Sequence, residues 1–210
     1  MHALPEKSAL LGLSIAVDVQ HLYRTGLRAK DQGAIYKLEG GGKVTEGWAA
    51  TQYALALSRF LEDRGARVIR NDPKTNVLVG PYSRRTSQAQ SAGCQAYLAC
   101  HLNAGKGYYA LTRYLNPDPA QFLATCIAHQ LDTDFAEILG GKVLVLAPGD
   151  RGRVCVAGFG GAGVLLEPVF GDTPAQQTLL TALGLSRVGQ TIGAGVLWWW
   201  RQRGQKITPA

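Results

Sequence analysis

Two histidines and two carboxylates stand at positions suited to hydrolytic chemistry. His21 follows one apolar run and His101 closes another. Glu167 lies inside a third, flanked by Leu165, Leu166, Val169 and Phe170. A carboxylate there is costly to bury unless it is paired, protonated or near a cation. Glu46 opens a long helical segment, where its charge suits the helix dipole. Two imidazoles and two carboxylates make the inventory of a catalytic zinc site. Three protein ligands leave a fourth position for water. The metal lowers the pKa of that water toward ~7, and a separate carboxylate carries the proton. Spacing alone leaves plainer readings open. A strand-end histidine is often a hydrogen-bonded structural residue. Glu46 could serve only the helix dipole, and Glu167 could be a buried ion-pair partner. Glu39 is a rival ligand, although a helix holds Glu46 more rigidly than a glycine-rich loop holds Glu39. The chain has no H-E-x-x-H helix to concentrate the signal.

The elements that would position these groups alternate along the chain. Apolar runs predict strands at 11–19, 66–70, 96–101, 108–114, 142–146 and 164–169. Between the first two, 20–45 is polar and glycine-rich and reads as a long functional loop. Thr45 caps a helix that Gly65 ends. Further helices are expected over 82–92, from Pro117 to about Leu131, and from Pro174 to Arg203, the last with a break at Gly184 or Gly193. The pattern predicts a single α/β domain: a mixed, mostly parallel, twisted sheet of about six strands with helices on both faces. Sites in such sheets gather at the carboxyl ends of strands. The domain should span 11–203, with an N-terminal tail over 1–10 and a basic tail over 204–210.

Composition narrows the partners. The 210 residues are 46% hydrophobic and 18% charged, enough for a buried core. The net charge of +7 favours an anionic partner. No basic, aromatic-studded recognition element accompanies it, so nucleic acid is not expected. Cys94, Cys100, Cys126 and Cys155 form no C-x-x-C pair and read as reduced, buried thiols. No run has the length to span a bilayer. The apolar stretch 9–17 ends at Asp18 without a cleavage site and reads as a strand, not a signal peptide.

The order of these residues resembles a known family, the zinc-dependent N-acetylmuramoyl-L-alanine amidases of the Amidase_3 type, found in bacterial autolysins and phage endolysins. There an apolar strand ends Asp-x-Gly-His-Gly; here Ile15 to His21 reads I-A-V-D-V-Q-H. Glu46, Gly65 and Arg70 follow in the family's order, then Arg85, Ala89 and the run L-A-C-H-L-N from Leu98 to Asn103. Leu165-Leu166-Glu167-Pro168-Val169-Phe170 matches the last strand. The resemblance spans Leu11 to Arg203. It implies that His21, Glu46 and His101 hold Zn2+ and that Glu167 is the catalytic carboxylate. It further implies peptidoglycan as substrate, cut between N-acetylmuramic acid and L-alanine.

Departures are visible too. Gln20 and Leu22 replace the glycines flanking the first histidine, so the loop there should take another path, with Tyr23 and Arg24 shaping the groove. In an extended strand Cys100 and His101 point to opposite faces, which makes Cys100 a packing residue and not a fourth ligand. Arg85 reads as a structural ion-pair residue, with a substrate carboxylate as the other option. Asn103 either contacts substrate or caps a turn. His2 and His129 should be uninvolved. Trp198-Trp199-Trp200 beside Arg201, Arg203 and Lys206 fits a core-packing last helix, or a helix touching the anionic envelope or membrane. A monomeric, leaderless phage or prophage lysin is the expectation, made in the cytoplasm and acting on the wall. A zinc peptidase and an inactive wall-binding protein are the alternatives.

Overall fold

The computed structural model describes residues 6–21, 32–71, 78–105, 107, 110–114, 117–140, 143–146 and 150–205. The first strand, β1 (Ser14–Val19), is buried at every position. Such a run, apolar on both faces, belongs in the middle of a parallel sheet. β1 pairs in parallel with β4 (Arg67–Arg70) on one side and β5 (Ala96–Cys100) on the other. β8 (Ala162–Glu167) adds in parallel to β5. β6 (Ala110–Tyr114) runs antiparallel to β8, and β7 (Val143–Leu146) runs parallel to β6. The sheet therefore has six strands in the order β4-β1-β5-β8-β6-β7. It is mixed and mostly parallel, as expected.

Three helices cover one face: α1 (Glu46–Glu62), α3 (Pro117–Phe135) and α6 (Ala182–Gln205). α2 (Tyr82–Ser91) and α4 (Asp150–Val156) cover the other, over a smaller core of Ala16, Tyr97, Ala99, Val156, Phe159 and Leu165. The sequence reading had no element at α4, a helix of only two turns. A further single turn, α5 (Pro174–Gln177), precedes α6.

α1 has its sequence signals where they were read. Thr45 accepts a hydrogen bond from the Trp48 N–H at 3.2 Å, so it is the N-cap. Tyr53, Ala54, Leu57 and Leu61 form the buried stripe. Burying each leucine contributes about 2 kcal/mol. Gly65, at φ +92°, ends the helix. The Gly65 N–H returns to the Glu62 carbonyl and the Ala66 N–H to the Leu61 carbonyl, a Schellman closure. The core begins at Ala9 and Leu10, within the expected N-terminal tail.

The segment read as one long loop carries structure of its own. β2 (Ile35–Lys37) and β3 (Lys43–Thr45) form an antiparallel hairpin that feeds directly into α1. Gly41 and Gly42 take the left-handed conformation at its turn. Tyr23 and Arg24 lie outside the described residues, as do His2 and Lys206.

The expected break at Gly184 or Gly193 is not there. α6 is continuous from Ala182, and the interruption falls earlier, between α5 and α6. Glycines persist in α6 because neighbouring helices come too close for a side chain. A methyl group on Gly189 would collide with the Tyr53 carbonyl oxygen, and one on Gly195 would lie 2.6 Å from the Ile127 Cα. Trp199 is fully buried, and Trp198 and Trp200 are partly buried against the same core. The tryptophan triplet is thus core packing, with Arg203 4.9 Å above the Trp199 ring. All four cysteines are free and buried. No helix among the described residues is long and apolar enough to cross a membrane.

Gly189→Ala should destabilise the protein by about 1–3 kcal/mol in urea unfolding, the usual cost of overpacking. Helix propensity alone predicts stabilisation of about 1 kcal/mol. A gain would mean that α1 and α6 are not in contact at that point.

Candidate metal centre

Three neighbouring parallel strands end at one edge of the sheet, and each delivers a group. β1 is followed by Gln20 and His21, β5 by His101, and β8 ends on Glu167. Asn71 fixes the end of β1: it accepts from the Val19 N–H at 3.0 Å and donates to the Val19 carbonyl at 2.6 Å. His101 is clamped by its backbone. Its N–H donates to the Leu166 carbonyl at 3.0 Å, and its carbonyl accepts from the Tyr53 hydroxyl at 2.9 Å.

Glu46 reaches this edge from the first turn of α1. Its Oε2 accepts from the Ala34 N–H at 3.0 Å. Its Oε1 lies 3.1 Å from His101 Nδ1, 3.3 Å from His21 Nε2 and 3.2 Å from the Leu102 N–H. The two imidazoles meet edge to face, with ring centroids 4.8 Å apart. Gly33 makes the arrangement possible. A Cβ there would lie 2.5 Å from Glu46 Oε2 and 2.8 Å from His21 Cγ.

One ligand atom from each of His21, Glu46 and His101 lies within 4.8 Å of the others. Ligand atoms around a tetrahedral zinc are separated by roughly 3.3 Å, given bonds of about 2.0–2.1 Å. The carboxylate is already at that distance from both imidazoles. Two imidazole nitrogens and one carboxylate oxygen are also a donor set that suits zinc. The group can therefore hold a divalent metal ion.

In the metal-free protein both groups hold charge against burial: Glu46 as a carboxylate, and His101 with a second proton that a bound ion would displace. Burial opposes ionisation of Glu46, but His101, His21 and the Ala34 N–H outweigh it and hold the carboxyl below its ordinary value. Burial also opposes charge on His101. The Cys155 thiol and the Glu46 carboxylate outweigh that effect, and its pKa is raised to about 10.

Glu167, half-buried, sits directly after Leu166, whose carbonyl accepts the His101 N–H. Tyr36, from β2, shares the neighbourhood. Burial pushes its hydroxyl well above the ordinary phenol range, and the charges of Glu46, Asp172 and Glu167 push further in the same direction. Both expected carboxylates thus bear on one phenol.

The remaining expectations sort clearly. Glu39 lies exposed at the hairpin turn and contributes its N–H to Gln177 Oε1, away from the imidazoles. Arg85 is a structural ion-pair residue, fully buried with Asp18 at 3.0 Å. Asn103 Oδ1 accepts from the Ala104 N–H of the next residue at 2.9 Å. Cys100 is buried in the core. His129 stacks beside Trp198, its ring centroid 5.0 Å away. Gln20, Gly33 and Tyr36 were missed as contributors. The signal for Gln20 was its place beside His21 where the resembling family has glycine. Nothing local marked the other two.

No known family's sequence model matches this chain, and neither does any curated protein sequence. Solved structures do match. Cwp6 from Clostridium difficile superimposes with a TM-score of 0.71 at 19% identity, over 88% of this chain and 29% of that one. The N-acetylmuramoyl-L-alanine amidase AmiC2 of Nostoc punctiforme gives 0.69 at 15% identity, over 90% of this chain and 97% of its own length. This chain has the fold of an N-acetylmuramoyl-L-alanine amidase. The catalytic domain of the CD27L endolysin, which targets Clostridia difficile, shares the fold with a TM-score of 0.58 at 18% identity, over 88% of this chain and 97% of its own. This chain thus spans under a third of Cwp6 but nearly the whole of the other two.

The raised His101 and lowered Glu46 predict how metal-free protein responds to pH. A raised histidine stabilises fully below its unfolded value of about 6.5, and that contribution is lost as pH climbs through about 10. A depressed carboxylate stabilises above its ordinary value near 4.5, and that contribution is lost as pH falls. With chelator present, Tm should fall between pH 6.5 and 10, and Glu46→Gln should flatten this limb. Parallel curves for wild type and variant would show that the pair contributes nothing.

Proposed function

We propose that this protein is a zinc-dependent hydrolase that cuts the amide bond between N-acetylmuramic acid and L-alanine in peptidoglycan. The observation that carries the proposal is the convergence of His21, Glu46 and His101 on one point at the carboxyl edge of the sheet. The amidase fold supports the substrate class. The net charge of +7 suits an anionic wall polymer.

His21, Glu46 and His101 would hold the ion. When bound, zinc supplies an acidified water and a Lewis-acid contact for the scissile carbonyl. Glu167 acts as the proton carrier. Its carboxylate takes the proton from the attacking water and returns it to the departing alanine nitrogen. The C–N bond breaks, leaving the muramoyl lactyl group as a carboxylate and the peptide with a free amine. Glu46 is committed elsewhere: both of its oxygens are engaged by N–H groups and imidazoles. That leaves Glu167 for acid–base work.

We place this activity in a lysin acting on the wall from a phage or prophage. The likeness to an endolysin catalytic domain supports that role.

Digests of purified cell walls should release intact stem peptides with a new L-alanine amino terminus, visible by mass spectrometry. Cuts within the glycan, or within the stem peptide, would sink the proposal. Glu167→Gln should lower turnover by about 100- to 10,000-fold, the usual share of a general acid–base, with zinc content unchanged. His101→Ala should lose the zinc itself, read by elemental analysis. Full activity in Glu167→Gln would remove that residue from the mechanism.

A further inference from the structure

We infer that Gln20, which stands where the resembling family has glycine, is the positioning residue that decides which nitrogen of His101 faces the metal. The inference rests on the zinc-site reading above and adds a role to this chain's own departure from the motif.

Gln20 is fully buried beneath the imidazole of His101. Its amide has two ends, and the surroundings fix which is which. Nε2 lies 2.8 Å from the Cys155 carbonyl and 3.1 Å from Asp18 Oδ2. Both partners only accept hydrogen bonds, so the amide nitrogen must face them. The amide oxygen is thereby turned to His101 Nε2, at 3.0 Å. An amide oxygen accepts and cannot donate, so Nε2 must carry a proton. Nδ1 is left to face Glu46, 3.1 Å away, and is the nitrogen whose lone pair an ion held between them would take in place of a proton.

Asp18 is itself held in place. Arg85 Nη1 donates to its Oδ1 at 3.0 Å, and the Tyr97 hydroxyl donates to its Oδ2. Arg85 is anchored in turn by the Gly80 carbonyl, 2.8 Å from its Nε. A buried chain, Arg85–Asp18–Gln20–His101, therefore runs from α2 through the end of β1 to the metal centre. Partners of this kind orient ligating histidines, and losing one costs about 10- to 100-fold in metal affinity.

The test starts with wild-type protein, 15N-labelled at histidine and loaded with zinc. Long-range 1H–15N spectra should show His101 with a protonated Nε2 and a metal-shifted Nδ1. The reverse pattern overturns the inference. Gln20→Leu removes the acceptor while filling the space. Its zinc affinity, measured by competition with a chromophoric chelator, should fall about 10- to 100-fold, and the visible spectrum of its cobalt form should change. A purely structural role would lower Tm and leave the cobalt spectrum of the folded protein unmoved. Wild-type affinity and an unchanged spectrum in Gln20→Leu would overturn the inference and leave the metal centre standing. Wild-type protein that binds no zinc would overturn both. If Gln20→Leu does not fold, the wild-type spectrum decides.

Discussion

Glu46 is a buried negative charge, and one edge of the sheet is arranged around it. A lone carboxylate in that position would be unstable. Here two imidazoles, two backbone N–H groups and the start of α1 all meet it. The helix places the carboxylate, and the N-cap at Thr45 places the helix. Ala34, the residue before the hairpin, bonds to Glu46 through both its N–H and its carbonyl. Two imidazole nitrogens and a carboxylate oxygen drawn to one point form a natural cation site.

Beneath that layer lies a second charge, Asp18, one residue before the end of β1. Its partners come from α2, β5 and the residue two positions on. Breaking such a pair by removing one member is costly, because the survivor stays buried and uncompensated. The arrangement therefore stiffens the end of β1 from below, while Asn71 holds it from the side. His21 and His101 inherit that rigidity. Glycine contributes by absence: Gly33 leaves room for Glu46 and His21, as Gly189 and Gly195 let α6 settle on α1 and α3.

The fold is shared with solved structures at only 15–19% identity. That is intelligible in physical terms. A parallel sheet needs apolar strands and covering helices, and many sequences satisfy that pattern. The site tolerates less. Its donors must meet within a few ångströms.

The amino-acid sequence by itself determined the alternation of strands and helices, the caps of α1, the buried thiols and the two histidines at the strand ends. Those features depend on neighbours a few positions away, or on an ordered motif, and both are written along the chain. It misplaced the break before α6 and showed neither α4 nor the β2–β3 hairpin. Glycine in a helix reads as a breaker until the helix it touches is known, and short elements carry too few residues to show a period. Only the tertiary structure decided that Glu46 and not Glu39 meets the imidazoles, that Arg85 is tied to Asp18, that Trp199 faces the core, and that Gln20 sits under His101. Each of these depends on strand order and on side chains meeting across tens of residues. No local pattern encodes such meetings, because the energy that selects them appears only when the sheet closes.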